Sequence, residues 1–361
     1  MVEAYGVEKG PEKKSNKGFF SLVIILLLLA SSTWGLALNA NWRQVLYAPF
    51  KEASLPSPVE TDKEAPLPSP VEIEEEAFLP SPIEIEEVYK SPDELTITYF
   101  DVGQGLAHLI QIPSGKVIIY DAGEGTDPDH KYTKYRNAGA KAILPVLRGE
   151  HIKKIDVIVG SHPHSDHLGG FLSILSSDEF EVGEILDPGM VHSTPTYNAF
   201  LELIERKEMP YRIVRDGDIL DWGSDVFVQV ISPPKGELWD HANENSVTIK
   251  LVYGKTSFLF TGDIEKRAIN RLIDVYGSRI KADVVQIPHH GSNTSNDRDF
   301  IRLTGAAHAV TSGTGGPPFG HPTPETVRRW REIGAQVHHT HLDGNITIIS
   351  NGKNIRIKTM R

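Results

Sequence analysis

"SHPHSDHLGG", Ser161 to Gly170, sets three histidines and an aspartate within the six residues 162–167 and closes on two glycines. It follows "KIDVIVG", a β-branched run that reads as a buried strand, and it runs into "LGGFLSILSS", which reads as a helix. In extended backbone, alternate side chains share a side, so His162 and His164 can reach one cation together. Asp166 and His167 stand at the helix start and can reach a second position close by. Imidazole mixed with carboxylate suits zinc, manganese or iron. A divalent site takes more protein ligands than one loop supplies, so the ends of other strands must contribute. "FLFTGD" ends in Asp263, "VVQIPHHGS" carries His289 and His290, and "FGHPTP" presents His321. "VIIYDAG" ends its strand at Asp121, which can orient a ligand histidine from behind.

Working outward, the chain from Leu95 reads as strands with helices between some of them. "LTITYFDV", "LAHLIQI" and "KVIIYDAG" are short apolar runs parted by Gly or Pro-Ser-Gly, as in adjacent antiparallel strands. Further strands are expected at "FVQVISP", "SVTIKLVY", "TSFLFTGD", "ADVVQIPH", "AAHAVTS" and "NITIISN". Helices are expected at "AGAKAILPVLRGEH", "TYNAFLELIERK", "IEKRAINRLIDVYG" and "TPETVRRWREIG", the last with Thr323 as cap and Pro324 in its first turn. Two sheets packed face to face, with helices outside, satisfy this order.

"HPHSDH" fits an HxHxDH pattern, and the chain here resembles the metallo-β-lactamase superfamily. Within it, "FDVGQG", "SHPHSDHLGG", "NSVTIKL", "FLFTGD", "PHHGS" and "GHP", in that order, resemble the hydrolase domain of ComEC-type competence proteins and its free-standing relatives. The resemblance covers roughly Leu95 to Arg361. It implies an α+β chain folded as a four-layered αβ/βα sandwich, with the metals at one edge between the sheets. Leu106 stands where many relatives carry an acid. The histidine that relatives usually place between HxHxDH and the bridging aspartate has no counterpart in "NENSVTIKL". His192 and His241 lie before that stretch in turn-like segments. The resemblance therefore implies His162, His164 and one of His289 and His290 on one metal. Asp166, His167 and His321 fall on the other, and Asp263 bridges.

The chain has 361 residues and no cysteine, which excludes disulfides, thiolate ligands and a cysteine nucleophile. Its net charge of −11 is concentrated: residues 52–94 hold thirteen acids and two lysines, leaving 35 acids and 35 bases elsewhere. The folded part has no global field to draw in a polyanion. Residues 18–40, with "FFSLVIILLLLA" at their heart, are long and apolar enough to cross a bilayer. Lys13, Lys14 and Lys17 precede them, so 1–17 is expected in the cytoplasm and the remainder outside. An uncleaved anchor fits the length, while "GLALNA" offers a small-residue exit for a cleaved, secreted form. Residues 41–94 form a Pro/Glu-rich linker in which "LPSPVE", "LPSPVE" and "LPSPIE" recur every twelve residues. Proline and mutual repulsion of the glutamates keep such a segment extended, so it reads as a stalk. Residues 95–361 are the hydrolase domain.

These readings converge on an exported, membrane-tethered hydrolase with two divalent metals, Zn or Mn. Water between the cations turns nucleophilic near neutral pH and attacks a phosphodiester, with single-stranded DNA the substrate that the resemblance implies. Asp166 and His289 are the expected catalytic groups, and Asn245 and Ser246 either position substrate or serve the turn. Two alternatives stay open: a surface esterase for small or cell-wall phosphodiesters, phosphorylcholine esters among them, and a non-catalytic component of a DNA-uptake or secretion system.

Overall fold

The computed structural model describes residues 93–125, 137–316 and 319–361. The expected N-terminus, membrane span and linker up to residue 92 lie outside the described residues. Among those described, no helix is long and apolar enough to cross a membrane.

The first sheet begins as an antiparallel meander of β1 (Leu95–Tyr99), β2 (Ala107–Gln111) and β3 (Val117–Ala122). It continues in parallel through β4 (Lys154–Val159), β5 (Glu181–Asp187) and β6 (Tyr211–Ile213). The crossovers are α1 (Ala138–Gly149), α2 (Ser165–Ser176) and α3 (Pro195–Arg206). The second sheet starts with the antiparallel strands β7 (Val226–Ser232), β8 (Thr248–Tyr253) and β9 (Thr256–Phe260). It then turns parallel through β10 (Val284–Gln286), β11 (His308–Thr311) and β12 (Gln336–His339). Its crossovers include α4 (Lys266–Tyr276), α5 (Arg298–Thr304) and α6 (Pro324–Glu332). After the short α7 (Thr340–Asp343), β13 (Ile346–Ser350) and β14 (Ile355–Thr359) return to the first sheet beside β1. The sheet orders are β14-β13-β1-β2-β3-β4-β5-β6 and β12-β11-β10-β9-β8-β7.

Alternation along the strands builds the layers. In β1, Leu95, Ile97 and Tyr99 enter the core between the sheets. In β3, Ile118 and Tyr120 enter that core while Val117 and Ile119 pack under α1 and α2. In β9, Phe258 and Phe260 face the first sheet and Leu259 faces α4. Sheets covered on both faces give such doubly apolar strands. Each fully buried phenylalanine contributes about 1.5–3 kcal/mol. The Tyr120 hydroxyl ties the sheets by donating to the Val247 carbonyl at 2.7 Å. The four-layered sandwich expected from the sequence is the observed architecture.

What matters for the site is direction. β3 and β4 run parallel in one sheet, and β9, β10 and β11 run parallel in the other. The segments leaving their carboxyl ends carry Asp121, His162–His167, Asp263, His289–His290 and His321. Crevices outside the carboxyl ends of parallel strands are where such folds gather ligands.

Candidate metal centre

Ser161 begins the site. Its backbone N–H donates to Asp121 Oδ1 at 2.7 Å, which fixes the chain as it leaves β4. His162 and His167 follow, both fully buried, and Asp166 lies in the first turn of α2, where the helix dipole favours a carboxylate. Leu106, also buried, tethers this turn through its N–H to the Asp166 carbonyl at 3.1 Å. Gly169 and Gly170 let α2 start hard against β3, since a Cβ on Gly170 would lie 1.9 Å from the Ala122 carbonyl oxygen.

The second sheet supplies the other half. Asp263 is 2 % exposed and its N–H donates to the Ser246 hydroxyl at 3.1 Å. Its Oδ2 lies 3.3 Å from His167 Nε2 and 3.3 Å from His290 Nε2. His290 Nε2 is also 3.3 Å from Asp166 Oδ2. Two overlapping groups result, His162, His167 and Asp263, and Asp166, His167 and His290, each with its ligand atoms within 4.8 Å of one another. The far nitrogens are held from behind. His167 Nδ1–H donates to Asp121 Oδ2 at 2.7 Å, and His290 Nδ1–H to the Ser312 carbonyl at 2.9 Å. These bonds aim both Nε2 atoms at the carboxylates. Asp121, His289 and His290 all adopt left-handed backbone, with φ of 54°, 50° and 54°. Strain of that kind costs about 1–3 kcal/mol per residue and persists where the surroundings enforce it.

Electrostatics and hydrogen bonding point the same way. Burial works to lower the His167 ring, but Asp263, Asp121 and Asp166 outweigh it and hold it well above the usual imidazole range. His290 is likewise pushed up to about 9, as Asp263 and Asp166 overcome burial. Burial opposes ionisation of Asp263, yet His167, His290 and His289 hold it well below the carboxylate range. His162 and His164 go down, through burial first and then neighbouring imidazoles. His167 Nε2, Asp263 Oδ1 and His290 Nε2 are buried and make no hydrogen bond. Polar atoms orphaned together in one spot are costly unless something binds them. A divalent cation, which would take the place of the protons that the carboxylates hold on His167 and His290, fits this donor set of imidazoles and carboxylates.

A family model described as the metallo-beta-lactamase superfamily matches residues 100–315. The chain belongs to the metallo-β-lactamase superfamily. It is 30% identical over 270 residues to the uncharacterized protein YcaI of Escherichia coli (strain K12), covering 75% of this chain and 32% of that protein. It is 27% identical over 253 residues to competence protein ComA of Neisseria gonorrhoeae, covering 70% and 32%. Against ComE operon protein 3 of Bacillus subtilis (strain 168) it is 26% identical over 257 residues, covering 69% and 32%. The matches span about a third of the length of these relatives. Its relatives thus include a protein named as a competence protein, and the superfamily's fold binds divalent metals, often two.

The structure divides the expected ligands differently from the sequence reading. His290 joins Asp166 and His167 rather than His162 and His164, because the turn after β10 aims its Nε2 at Asp166. His167 belongs to both groups. His164 caps α2 at the rim, with Nδ1 3.0 Å from His162 Nε2. His321 lies outside both groups, its ring 5.6 Å from that of His289, and burial followed by His289 and His290 lowers it to about 4. His289 Nε2 is 3.8 Å from Asp263 Oδ2, and its Nδ1 lies 3.0 Å from Glu265 Oε1. Asn245 and Ser246 sit under the site rather than facing it. Both are 0 % exposed. The Asn245 amide is spent on backbone groups of Trp239 and His241, and the Ser246 hydroxyl donates to the Asn243 carbonyl. Their place is explained by the turn they brace before β8.

Two residues not among the sequence-derived ligands stand at the site. Glu265, two residues after Asp263 in "TGDIE", holds His289. The His192 ring packs edge-on to His164 with centroids 5.7 Å apart, and its buried Nδ1 makes no hydrogen bond. Its signal in the sequence was the lone histidine of "GMVHSTPTY", which carries no spacing to the ligand motif.

Proposed function

We propose that the chain is a membrane-anchored, exported phosphodiesterase that acts on nucleic acid with two divalent cations, zinc or manganese. One observation carries the catalytic half. Two His/Asp groups share His167, and three of their buried atoms, His167 Nε2, Asp263 Oδ1 and His290 Nε2, lack any hydrogen-bond partner. His162, His164, Asp166, His167, Asp263 and His290 are the proposed ligands. His192 is proposed to supplement the His162–His164 side, and His321 the rim beside His289. Two cations bound there supply Lewis acidity and make water nucleophilic at neutral pH.

The chain's own residues do the rest. Asp121 holds the His167 ring in one tautomer and orientation. Asp263, buried, and Asp166, partly exposed at the rim, balance positive charge at the site. His289 is the proposed general acid: its side chain keeps 22 % exposure, and Glu265 fixes one ring nitrogen so that the other can pass a proton to a leaving oxygen. Asp166 is the proposed residue most directly tied to turnover, since it bridges the HxHxDH turn and His290.

The nucleic-acid half is supported by a relative named as a competence protein. The hydrophobic 18–40 segment and the repeated linker support an outward-facing tether. The balanced charge outside residues 52–94 favours a second reading, an esterase for small phosphodiesters. Purified full-length chain with Mn²⁺ or Zn²⁺ tests both. Single-stranded DNA, bis-p-nitrophenyl phosphate and p-nitrophenyl phosphorylcholine are offered in parallel, with Asp166→Ala as control. Turnover of the small esters alone would leave the second reading standing and remove the first.

A further inference from the structure

Among the described residues, β14 is the last strand of the first sheet, with β13 on one side and no strand on the other. Bonds at both ends of the β13–β14 pair fix which way its backbone points. Asn351 N–H donates to the Asn354 carbonyl at 3.3 Å, and Met360 N–H to the Asn345 carbonyl at 3.1 Å. Bonded and unbonded pairs alternate along an antiparallel ladder, so Arg356 and Lys358 spend their peptide groups on β13. Ile355, Ile357 and Thr359 therefore turn theirs outward along an open edge. Ile355 and Ile357 are partly buried against the core between the sheets, while Arg356 and Lys358 are exposed.

The chain carries a complement to this edge. Between Pro82 and Pro92 the linker runs "IEIEEVYKS", free of proline and opening with isoleucine and glutamate in alternation. Against "IRIK" of β14 the antiparallel match sets Ile85 opposite Ile357, Glu84 opposite Lys358 and Glu86 opposite Arg356. Isoleucines then share the core face and opposite charges share the other, whereas a slip of one residue would turn glutamates onto the core. The chain that follows leans toward the same edge. The Tyr253 hydroxyl donates to the Asp93 carbonyl at 2.7 Å, and Arg356 donates to Glu94 Oε1 at 2.6 Å. Leu95, Ser350 and Ile355 lie in register across β1, β13 and β14. From a residue docked opposite Ile355, Leu95 is three strand spacings away, about 14 Å. The eight residues from Glu87 to Leu95 reach about 26 Å when extended.

We infer that the outer edge of β14 is the docking site of residues 84–88 of the same chain, which add a strand antiparallel to it. An extended segment on an open edge gains affinity from main-chain bonds and specificity from alternate side chains. Basic side chains on an edge strand ward off indiscriminate pairing, and here an acidic strand of matching period satisfies them. The docking has a direction. Thr359 is in register, through Ile346, Tyr99 and His108, with Tyr120, so Glu84 falls at the end of the sheet that carries the metal centre. Leu95 lies at the opposite end, and the docked segment therefore runs the length of the edge between them.

The chain has no cysteine, so an introduced pair reports without background. Unbonded antiparallel pairs bring Cα atoms to about 4.5 Å, within reach of a disulfide. In the full-length chain under mild oxidation, Glu84→Cys with Lys358→Cys is expected to close a bond within one molecule. It does so about tenfold faster than Glu84→Cys with Lys353→Cys, whose second site lies in the turn at the other end of β14. Equal rates for the two pairs would overturn the inference. A bond formed mainly between molecules would overturn it too, giving the edge to a second copy. Amide exchange supplies a second readout on the chain without cysteines. At Ile355, Ile357 and Thr359 it is expected to run about tenfold faster in Ile85→Pro than in the parent. Unchanged exchange in β2 shows that the variant is folded. The same rate at those three amides in parent and variant would mean an edge left open and would contradict the docking. Neither readout depends on metal or turnover.

Discussion

His167 Nδ1 lies 2.7 Å from Asp121 Oδ2, and the other oxygen of the same carboxylate accepts the Ser161 N–H at 2.7 Å. One buried side chain thus fixes both the backbone entering the histidine motif and the ring shared by the two ligand groups. Asp121→Ala removes both bonds. Metal affinity is expected to fall about 10–100-fold, measured by competition with a chelator. The stranded Ser161 N–H adds a cost of about 1–3 kcal/mol, read from denaturant unfolding. Unaltered affinity would show that His167 needs no such support.

Gly170 places α2 against β3. In Gly170→Ala the new Cβ meets the Ala122 carbonyl at 1.9 Å, so backbone must move. Stability is expected to drop by about 1–3 kcal/mol. Because Asp166 and His167 ride on that first helical turn, metal affinity falls with it. Gly149→Ala, where a Cβ meets nothing within 4 Å, is the matched control with no loss of stability.

His108 is buried among Tyr99, Tyr120 and Phe260, and burial, then His167, lowers its ring to about 3 against a small opposing effect of the Tyr120 backbone. The unfolded chain takes up a proton near 6.5, and the folded chain does so only near 3. Stability from this residue is therefore complete above about pH 6.5 and is lost as the pH falls toward 3. At pH 5 the loss is about 2 kcal/mol. His108→Leu is expected to flatten the pH dependence of the urea midpoint between pH 7 and pH 5. An equally steep dependence in the variant would assign the acid sensitivity to other groups.

His192 stands 5.7 Å from His164, ring centroid to ring centroid. If it completes the His162–His164 side, His192→Ala weakens one cation about tenfold and leaves the other unchanged, resolved by two-step metal titration. Equal binding of both cations in the variant reduces His192 to packing.

The sequence made legible what depends on local pattern. Among the described residues, each run read in advance as a strand forms one, and Thr323 caps α6 by accepting the Thr326 N–H, as its position before Pro324 implied. β5 escaped notice because "EVGEILD" interrupts its apolar residues with Gly183 and Glu184, and pairing with β4 makes it a strand. β6 and β14 are edge strands, short or exposed, with little hydrophobic pattern to read. Candidate site residues could be named in advance because the imidazoles and carboxylates that come together lie where strands end. Their grouping was not, since it depends on how the turn at His289 and His290 bends in left-handed backbone. The burial of Asn245 was equally hidden, because a polar residue before a strand looks the same whether its amide faces solvent or braces a turn.

The central claim is that His162, His164, Asp166, His167, Asp263 and His290 hold a pair of divalent cations. Metal analysis of the full-length protein, purified without added chelator and compared with Asp263→Ala, tests it most directly. The account predicts two equivalents of transition metal per chain in the parent and a clear loss in the variant. A parent without stoichiometric metal, or a variant that keeps both equivalents, would contradict it.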